Sequence, residues 1–226
     1  YSMSSRLPPH NLKGISKRAA RRTRVRRDRC SNNCVGDLRD GIIGFHAEVG
    51  ATVTDLISPM PNYRPCVGIM AVNRAGLVWI GRRILTRRGA DRDRGGFEQW
   101  WQMPQGGIDA GEAPDVAALR ELNEETGMCS VSVLGRTQGW LTYDLPPALV
   151  PKNWGGKYRG QAQLWYAVRF SGDDDEIDIV PKAGHSQEFD AWRWAAVDEL
   201  VDLIVPFKRD VYARALGELA AYARPE

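Results

Sequence analysis

Residues 106–128 read GGIDAGEAPDVAALRELNEETGM, and this stretch decides how the rest of the chain is understood. An α-helix turns by about 100° per residue, so positions i, i+3 and i+4 share a face. Glu121, Glu124 and Glu125 have that spacing, with Arg120 beside them. Three like charges on one face destabilise a helix unless something compensates them. Taken alone, the three acids read first as a solvated acidic face neutralised by Arg120. A hard divalent cation is the other compensator, because Mg²⁺ prefers oxygen ligands in octahedral geometry. The Gly106–Gly107 pair allows a sharp turn or a close backbone approach just before the helix.

Residues 113–126 are predicted as the best helix of the chain. Pro114 suits the first helical turn and Gly127 the position just past its end. Ala113 stands where Ser, Thr, Asp or Asn is the better N-cap. Outward from the helix, CVGIMAVN (66–73) and LVWIGR (77–82) read as strands joined by a hairpin at RAG (74–76). VSVLGRTQGWL (131–141), AQLWYAVRF (162–170) and the alternating AWRWAAV (191–197) read as further strands. Residues 207–223 carry helical periodicity, with Val211, Ala215, Leu219 and Tyr222 on one side. Strands mixed with helices imply a sheet covered by helices, of α/β or α+β type. A Gly-, Arg- and Asp-rich loop is expected at 86–96.

Bulk composition sets the frame. The 226 residues suffice for one sizeable core, and 43% apolar with 26% charged is the make-up of a globular protein. No stretch approaches the roughly 18 uninterrupted apolar residues of a membrane span, and no membrane partner is expected. The net charge of +3 hides a split: residues 1–40 hold 11 Lys and Arg against 3 acids, whereas 41–226 hold 20 against 25. The basic charge is concentrated in KRAARRTRVRRDR (17–29), a block attracted to polyanions. Cys30, Cys34, Cys66 and Cys129 do not make a zinc set, so free thiols in a reducing, cytoplasmic compartment are expected.

Residues 1–59 lack a strong core pattern and read as an extension, with 60–226 as the domain. One expectation is that Met60 is the native start, which N-terminal sequencing tests. The alternatives are a basic tail that binds RNA and an Arg-rich transit peptide.

The complete pattern is a Gly, five residues, Glu, seven residues, Arg-Glu, an apolar residue, any residue, Glu-Glu, any residue, Gly, apolar. Gly106, Glu112, Arg120, Glu121, Leu122, Glu124, Glu125, Gly127 and Met128 fill its fixed positions. This resembles the Nudix hydrolase box. The resemblance implies an α/β/α sandwich with a mixed β-sheet, and cleavage of a nucleoside diphosphate linked to another group with Mg²⁺ or Mn²⁺, two or more ions. YRPCVGIMAVNRAG, WQMPQGGIDAGE, WLTYDLPP, WGGKYRGQAQLWYAVRF, EFDAWRW and LIVPFKRDVY extend it over about residues 62–215. These phrases resemble the bacterial dinucleoside polyphosphate hydrolases, also called RNA pyrophosphohydrolases.

The resemblance implies that Glu121, Glu124 and Glu125 bind metal, with the carbonyl of Gly106 or Gly107 and with Glu188 of SQEFDAWRW. Glu125 and Glu188 both stand as candidates for the base that accepts the proton of the attacking water. Arg64, Arg83, Lys157 and Arg159 are suited to a phosphate chain, and Tyr143 and Gln161 to hydrogen bonds with phosphate oxygens. Phe207 and Lys208 form an aromatic-basic pair suited to stacking on a base. Of the eight Trp residues, Trp100, Trp101, Trp140, Trp154 and Trp165 are stacking candidates that sequence does not separate. His10, His46 and His185 carry no signal. The expected substrates are diadenosine tetraphosphate, cut to ATP and AMP, and the triphosphate 5′ end of RNA, trimmed with release of pyrophosphate. The rival is a non-catalytic nucleotide- or RNA-binding module that kept the fold. A sugar-nucleotide or ADP-ribose hydrolase is a more distant third.

Overall fold

The computed structural model describes residues 60–84, 100–150, 154–181 and 186–226. The basic block, Cys30, Cys34, His10, His46, His185 and the loop at 86–96 lie outside the described residues.

The first strand, β1 (Tyr63–Val72), organises the fold. Its side chains alternate between two faces. Val67, Ile69 and Ala71 enter one apolar cluster, and Met70 and Val72 enter another. A strand buried on both faces reads as a continuous apolar run, as CVGIMAV does. At its end Asn73 makes the turn. Its Oδ1 accepts from the N–H groups of Ala75 (3.0 Å) and Leu77 (2.9 Å), and Gly76 sits at φ 78°. The hairpin expected at RAG therefore forms and delivers β2 (Val78–Arg83), with Val72 opposite Val78.

Two short strands follow, β3 (Trp101–Gln102) and β4 (Gln105–Gly107), then helix α1 (Pro114–Thr126). Next come β5 (Val131–Arg136), β6 (Leu141–Asp144), β7 (Gly160–Phe170) and β8 (Phe189–Ala195). Helices α2 (Leu200–Leu203) and α3 (Arg209–Leu219) close the described chain. The sheet runs β3-β2-β1-β7-β5, with β4 on β1, β6 on β7 and β8 on β2. β1 and β7 are parallel from Tyr63↔Gly160 to Val72↔Arg169, and the other pairs are antiparallel, so the sheet is mixed.

Each face carries a helix. Ala117, Ala118 and Leu122 of α1 pack on the cluster holding Val67, Ile69 and Trp79. Val211, Tyr212, Ala215 and Leu219 of α3 pack on the cluster holding Met70, Val72 and Trp165. This is the α/β/α layering expected. Residues 131–141 form two strands rather than the single one expected. Both pair with β7, but the chain turns between them, where Thr137 donates its backbone N–H to the Trp165 carbonyl (2.9 Å) and its Oγ1 to the Gly139 carbonyl (3.1 Å). The helical pattern of 207–223 divides into a 3₁₀ turn at Pro206–Lys208, α3, and a 3₁₀ turn at Ala220–Tyr222.

Helix α1 starts without a side-chain cap at Ala113, and Pro114 supplies the preset φ of the first turn. It ends at Gly127, left-handed at φ 77°, whose N–H donates to the Asn123 carbonyl. Leu122 is fully buried under the sheet. Leu122→Ala is expected to cost about 2–5 kcal/mol of stability, measured as a fall in the urea midpoint at unchanged slope.

Candidate active site

The site lies where β1, β4, β7 and the end of β2 meet the polar face of α1. β1 has β2 beside its last residues and β4 beside its first, so one edge of the strand serves two partners. That split brings the Gly106–Gly107 backbone under α1. A methyl group added at Gly106 would run into the Glu121 carboxylate, and one added at Gly107 into the Arg64 guanidinium. The two glycines let these side-chain ends lie directly on the backbone.

Arg120 organises the acids. Its Nε donates to Glu112 Oε1 (2.7 Å) and its Nη2 to Glu112 Oε2 (2.8 Å) and the Gly107 carbonyl (2.9 Å). Its Nη1 donates to Glu121 Oε1 (2.9 Å) and Glu124 Oε2 (3.2 Å). A guanidinium has five N–H donors, and all five are used. Glu112 also accepts from the Asp109 N–H (3.0 Å), which fastens the loop ahead of the helix. The bond from Arg120 holds the Glu112 carboxyl below its usual range, and these acids hold Arg120 firmly cationic. Glu112 therefore orients the site through Arg120, a role the sequence reading did not assign it.

The remaining acids face less compensation. Burial pushes the Glu121 carboxyl up, with Arg120 opposing. Glu125 is pushed well up, by burial first and then by the Glu188 charge. Its Oε2 accepts the Gln105 N–H at 3.1 Å. Glu188 arrives from the segment preceding β8, is paired with Arg83, and is anchored by its carbonyl to the Ile84 N–H (3.0 Å).

Glu121, Glu124, Glu125 and Glu188 wall one pocket of about 350 Å³, with Arg120 and Glu112 outside its lining. Of the residues expected from sequence, Arg64, Arg83, Gly106, Gly107, Glu121, Glu124, Glu125, Gln161 and Glu188 line it. Gln105, Trp154, Pro181 and Ser186 complete the wall. Trp154 is the one stacking candidate on it, with the Arg64 guanidinium 5.4 Å from its ring centroid. Trp165 is instead fully buried against Tyr212. The sequence reading missed Gln105, although its place next to the glycine pair marked it.

The other expected substrate residues do not line the pocket. Tyr143 lies behind its wall and donates its hydroxyl to Gln161 Oε1 (2.8 Å). Phe207 packs on Tyr143 at 5.9 Å between ring centroids. Lys157 is exposed over the Tyr158 ring, and Arg159 is exposed and paired with Asp144. Lys208 is buried, its Nζ 5.5 Å from the Tyr143 ring centroid.

Burial, with Arg83 adding to it, pulls the Lys208 ammonium down to about 7. A folded-state value below the unfolded one means that folding opposes protonation. The cost is full below pH 7 and fades as pH rises toward the ordinary lysine value of about 10.4. Lys208→Met is therefore expected to be more stable than the parent at pH 6, with the gap closing by about pH 10. Urea titrations of both proteins at several pH values measure it.

No three His, Cys, Asp or Glu side chains among the described residues are disposed to hold an ion as they stand. Glu121 and Glu124 are turned to Arg120, and Glu188 to Arg83. The donor set nevertheless fits a hard divalent cation: it is all oxygen, and the half-buried Glu125 carboxyl lies beside Glu188 and Glu121. Among the described residues no helix is long and apolar enough to cross a membrane.

The NUDIX domain model matches residues 62–215. An RNA pyrophosphohydrolase of Brucella ovis is 58% identical over 69% of this chain and 86% of its own length. An RNA pyrophosphohydrolase of Agrobacterium fabrum is 55% identical over 69% of this chain and 91% of its own. Among solved structures, a MutT protein from Methanosarcina mazei Go1 has a TM-score of 0.49 at 18% identity, over 71% of this chain and 98% of that one. With the box helix, the mixed sheet and a family model that spans most of its length, the chain belongs to the Nudix family.

Proposed function

We propose that this chain is a pyrophosphohydrolase that cuts a phosphoanhydride bond in a polyphosphate attached to a nucleotide. Its substrates on this reading are the triphosphate 5′ end of RNA, trimmed to a monophosphate with release of pyrophosphate, and dinucleoside polyphosphates. The observation that carries the reading is one pocket lined by the box acids Glu121, Glu124 and Glu125 together with Arg64 and Arg83. Such a cavity offers both charges that the reaction needs, positive for the phosphate chain and negative for a cation and a proton. The relatives' name, RNA pyrophosphohydrolase, favours the RNA end. Trp154, half-buried at the pocket wall, favours a second base and hence the dinucleotide.

Glu121, Glu124, Glu125 and Glu188, with the Gly106 carbonyl, would hold Mg²⁺ or Mn²⁺. The Gly107 carbonyl already accepts from Arg120. Such a cation supplies Lewis acidity at the phosphate and lowers the pKa of a bound water. Arg64 and Arg83 orient the phosphate chain and neutralise charge on the leaving group. Water attacks phosphorus, the bridging P–O bond breaks, and the carboxylate of Glu125 or Glu188 accepts the water's proton. The domain reading, with 1–59 as extension and 60–226 as catalytic unit, belongs to the same proposal. A non-catalytic module has no support, because each box acid is retained.

The test is turnover by the full chain with Mg²⁺, on triphosphate-ended RNA and diadenosine tetraphosphate in parallel. Pyrophosphate with monophosphate RNA from the first, or ATP with AMP from the second, is expected. Turnover of neither substrate overturns the reading.

A further inference from the structure

Behind the pocket wall runs a line of buried amides that the mechanism above does not use. Gln163 and Trp165 are fully buried on β7, and Gln161 and Tyr143 nearly so. Trp165 Nε1 donates to Gln163 Oε1 at 3.1 Å. Gln163 Nε2 lies 3.0 Å from Gln161 Oε1 and, at a longer 3.4 Å, from Gln105 Oε1. Gln161 and Gln105 line the pocket, while Gln163 and Trp165 do not.

The donor inventory gives this line a direction. An amide has an oxygen that only accepts and a nitrogen that only donates, and the two ends interchange by a half turn. An indole N–H is a donor and nothing else. Trp165 therefore fixes Gln163 with its oxygen toward the indole. The Gln163 nitrogen then faces outward with two hydrogens, one for each neighbouring amide. Gln161 and Gln105 must both answer with their oxygens. Tyr143 adds a second donor to the Gln161 oxygen. Both pocket amides are thus left with their nitrogens free to face the cavity. Reversing either one would set its nitrogen against the Gln163 nitrogen, two donors with no acceptor between them, at a cost of about 1–3 kcal/mol.

We propose that Trp165 and Gln163 are positioning residues that lock Gln161 and Gln105 with their N–H groups toward the pocket, so that its floor offers donors to phosphate oxygens. The proposal deepens the polyphosphate reading and rests on it for the identity of the anion. Gln105 also donates its backbone N–H to Glu125, so this donor floor adjoins the box acids. A floor of amide donors selects a chain of anionic oxygens over a neutral ligand of the same size.

Two variants test the lock. Trp165→Phe removes the one obligate donor and adds no charge. Gln163→Met removes the hub amide without adding charge, so the flanking amides lose the donor that holds their oxygens inward. Calorimetry of the full chain with inorganic tripolyphosphate gives the binding readout, and triphosphate-ended RNA with Mg²⁺ gives the catalytic one. Q163M is expected to weaken tripolyphosphate binding and raise KM by about tenfold or more, the size of a lost charge-assisted donor. W165F is expected to do the same more weakly, with kcat close to the parent in both. In the parent protein, the side-chain NH₂ signals of Gln105 and Gln161 should shift on adding tripolyphosphate, a readout that requires no variant. Folded variants with unchanged affinity and KM, or amide signals that stay in place, overturn the lock. A parent that binds tripolyphosphate through these amides but hydrolyses no nucleotide overturns the enzymatic reading and leaves the lock standing.

Discussion

Glu125→Gln lowers turnover of triphosphate-ended RNA by about 10²–10⁴-fold and leaves the protein at least as stable as the parent. The two halves of this expectation have one cause. Glu125 is half-buried, and burial and the Glu188 charge both oppose its ionisation. Its fold contact is an accepted bond from the Gln105 N–H, which an amide oxygen also accepts. A neutral glutamine keeps that bond and removes a like charge from beside Glu188 and Glu121. It also removes the charge with which the carboxylate would hold a cation or take a proton. Single-turnover assays and thermal melts on the same preparation measure both halves. A variant within tenfold of parental activity contradicts the assignment. So does an inactive one that melts well below the parent, because its loss then has a structural origin.

Arg120→Lys is the second large effect, and it bears on stability first. The guanidinium makes five hydrogen bonds to three carboxylates and one carbonyl. An ammonium has three donors from a single point and does not span that set. The charge is conserved, yet two or more acceptors lose their donor in a region where Glu112 is 13% and Glu121 15% exposed. The expected loss is about 2–4 kcal/mol, with kcat falling as Glu121 and Glu124 lose their common anchor. Urea denaturation measures the first and initial rates the second. Glu112→Gln in the Arg120→Lys background is expected to cost less than in the parent, since the two side chains act through one contact.

Much of this was legible in the residues. The i, i+3, i+4 spacing of Glu121, Glu124 and Glu125 puts them on one helix face whatever the surrounding fold. Pro114 and Gly127 bound that helix by local backbone preference, and the boundaries hold. The apolar run CVGIMAVN marked β1 as a strand. Local pattern does not show where the chain turns inside an apolar stretch, so residues 131–141 read as one strand although they form two. Strands of two and three residues such as β3 and β4 carry no periodicity at all and exist because β2 and β1 supply their partners.

The pocket divided along the same line. Spacing put the box acids on one helix face and the family resemblance made that face a site, whereas the cationic side depends on register. Arg64 and Arg83 face the acids because β1 and β2 carry them there. Arg159 is just as basic in sequence, yet it ends on the surface with Asp144. Lys208 ends buried beside Tyr143, a position that charge and composition argue against and that only tertiary packing produces.

The most direct test of the account is the position of oxygen-18 after hydrolysis in labelled water, by the full chain with Mg²⁺ and triphosphate-ended RNA. The account requires water to attack phosphorus, so one labelled oxygen should appear in the phosphate of one product, and Glu125→Gln should slow its appearance in step with turnover. Products that carry no label would mean that another nucleophile opens the anhydride, and the role given to the acids of α1 would fall with that result.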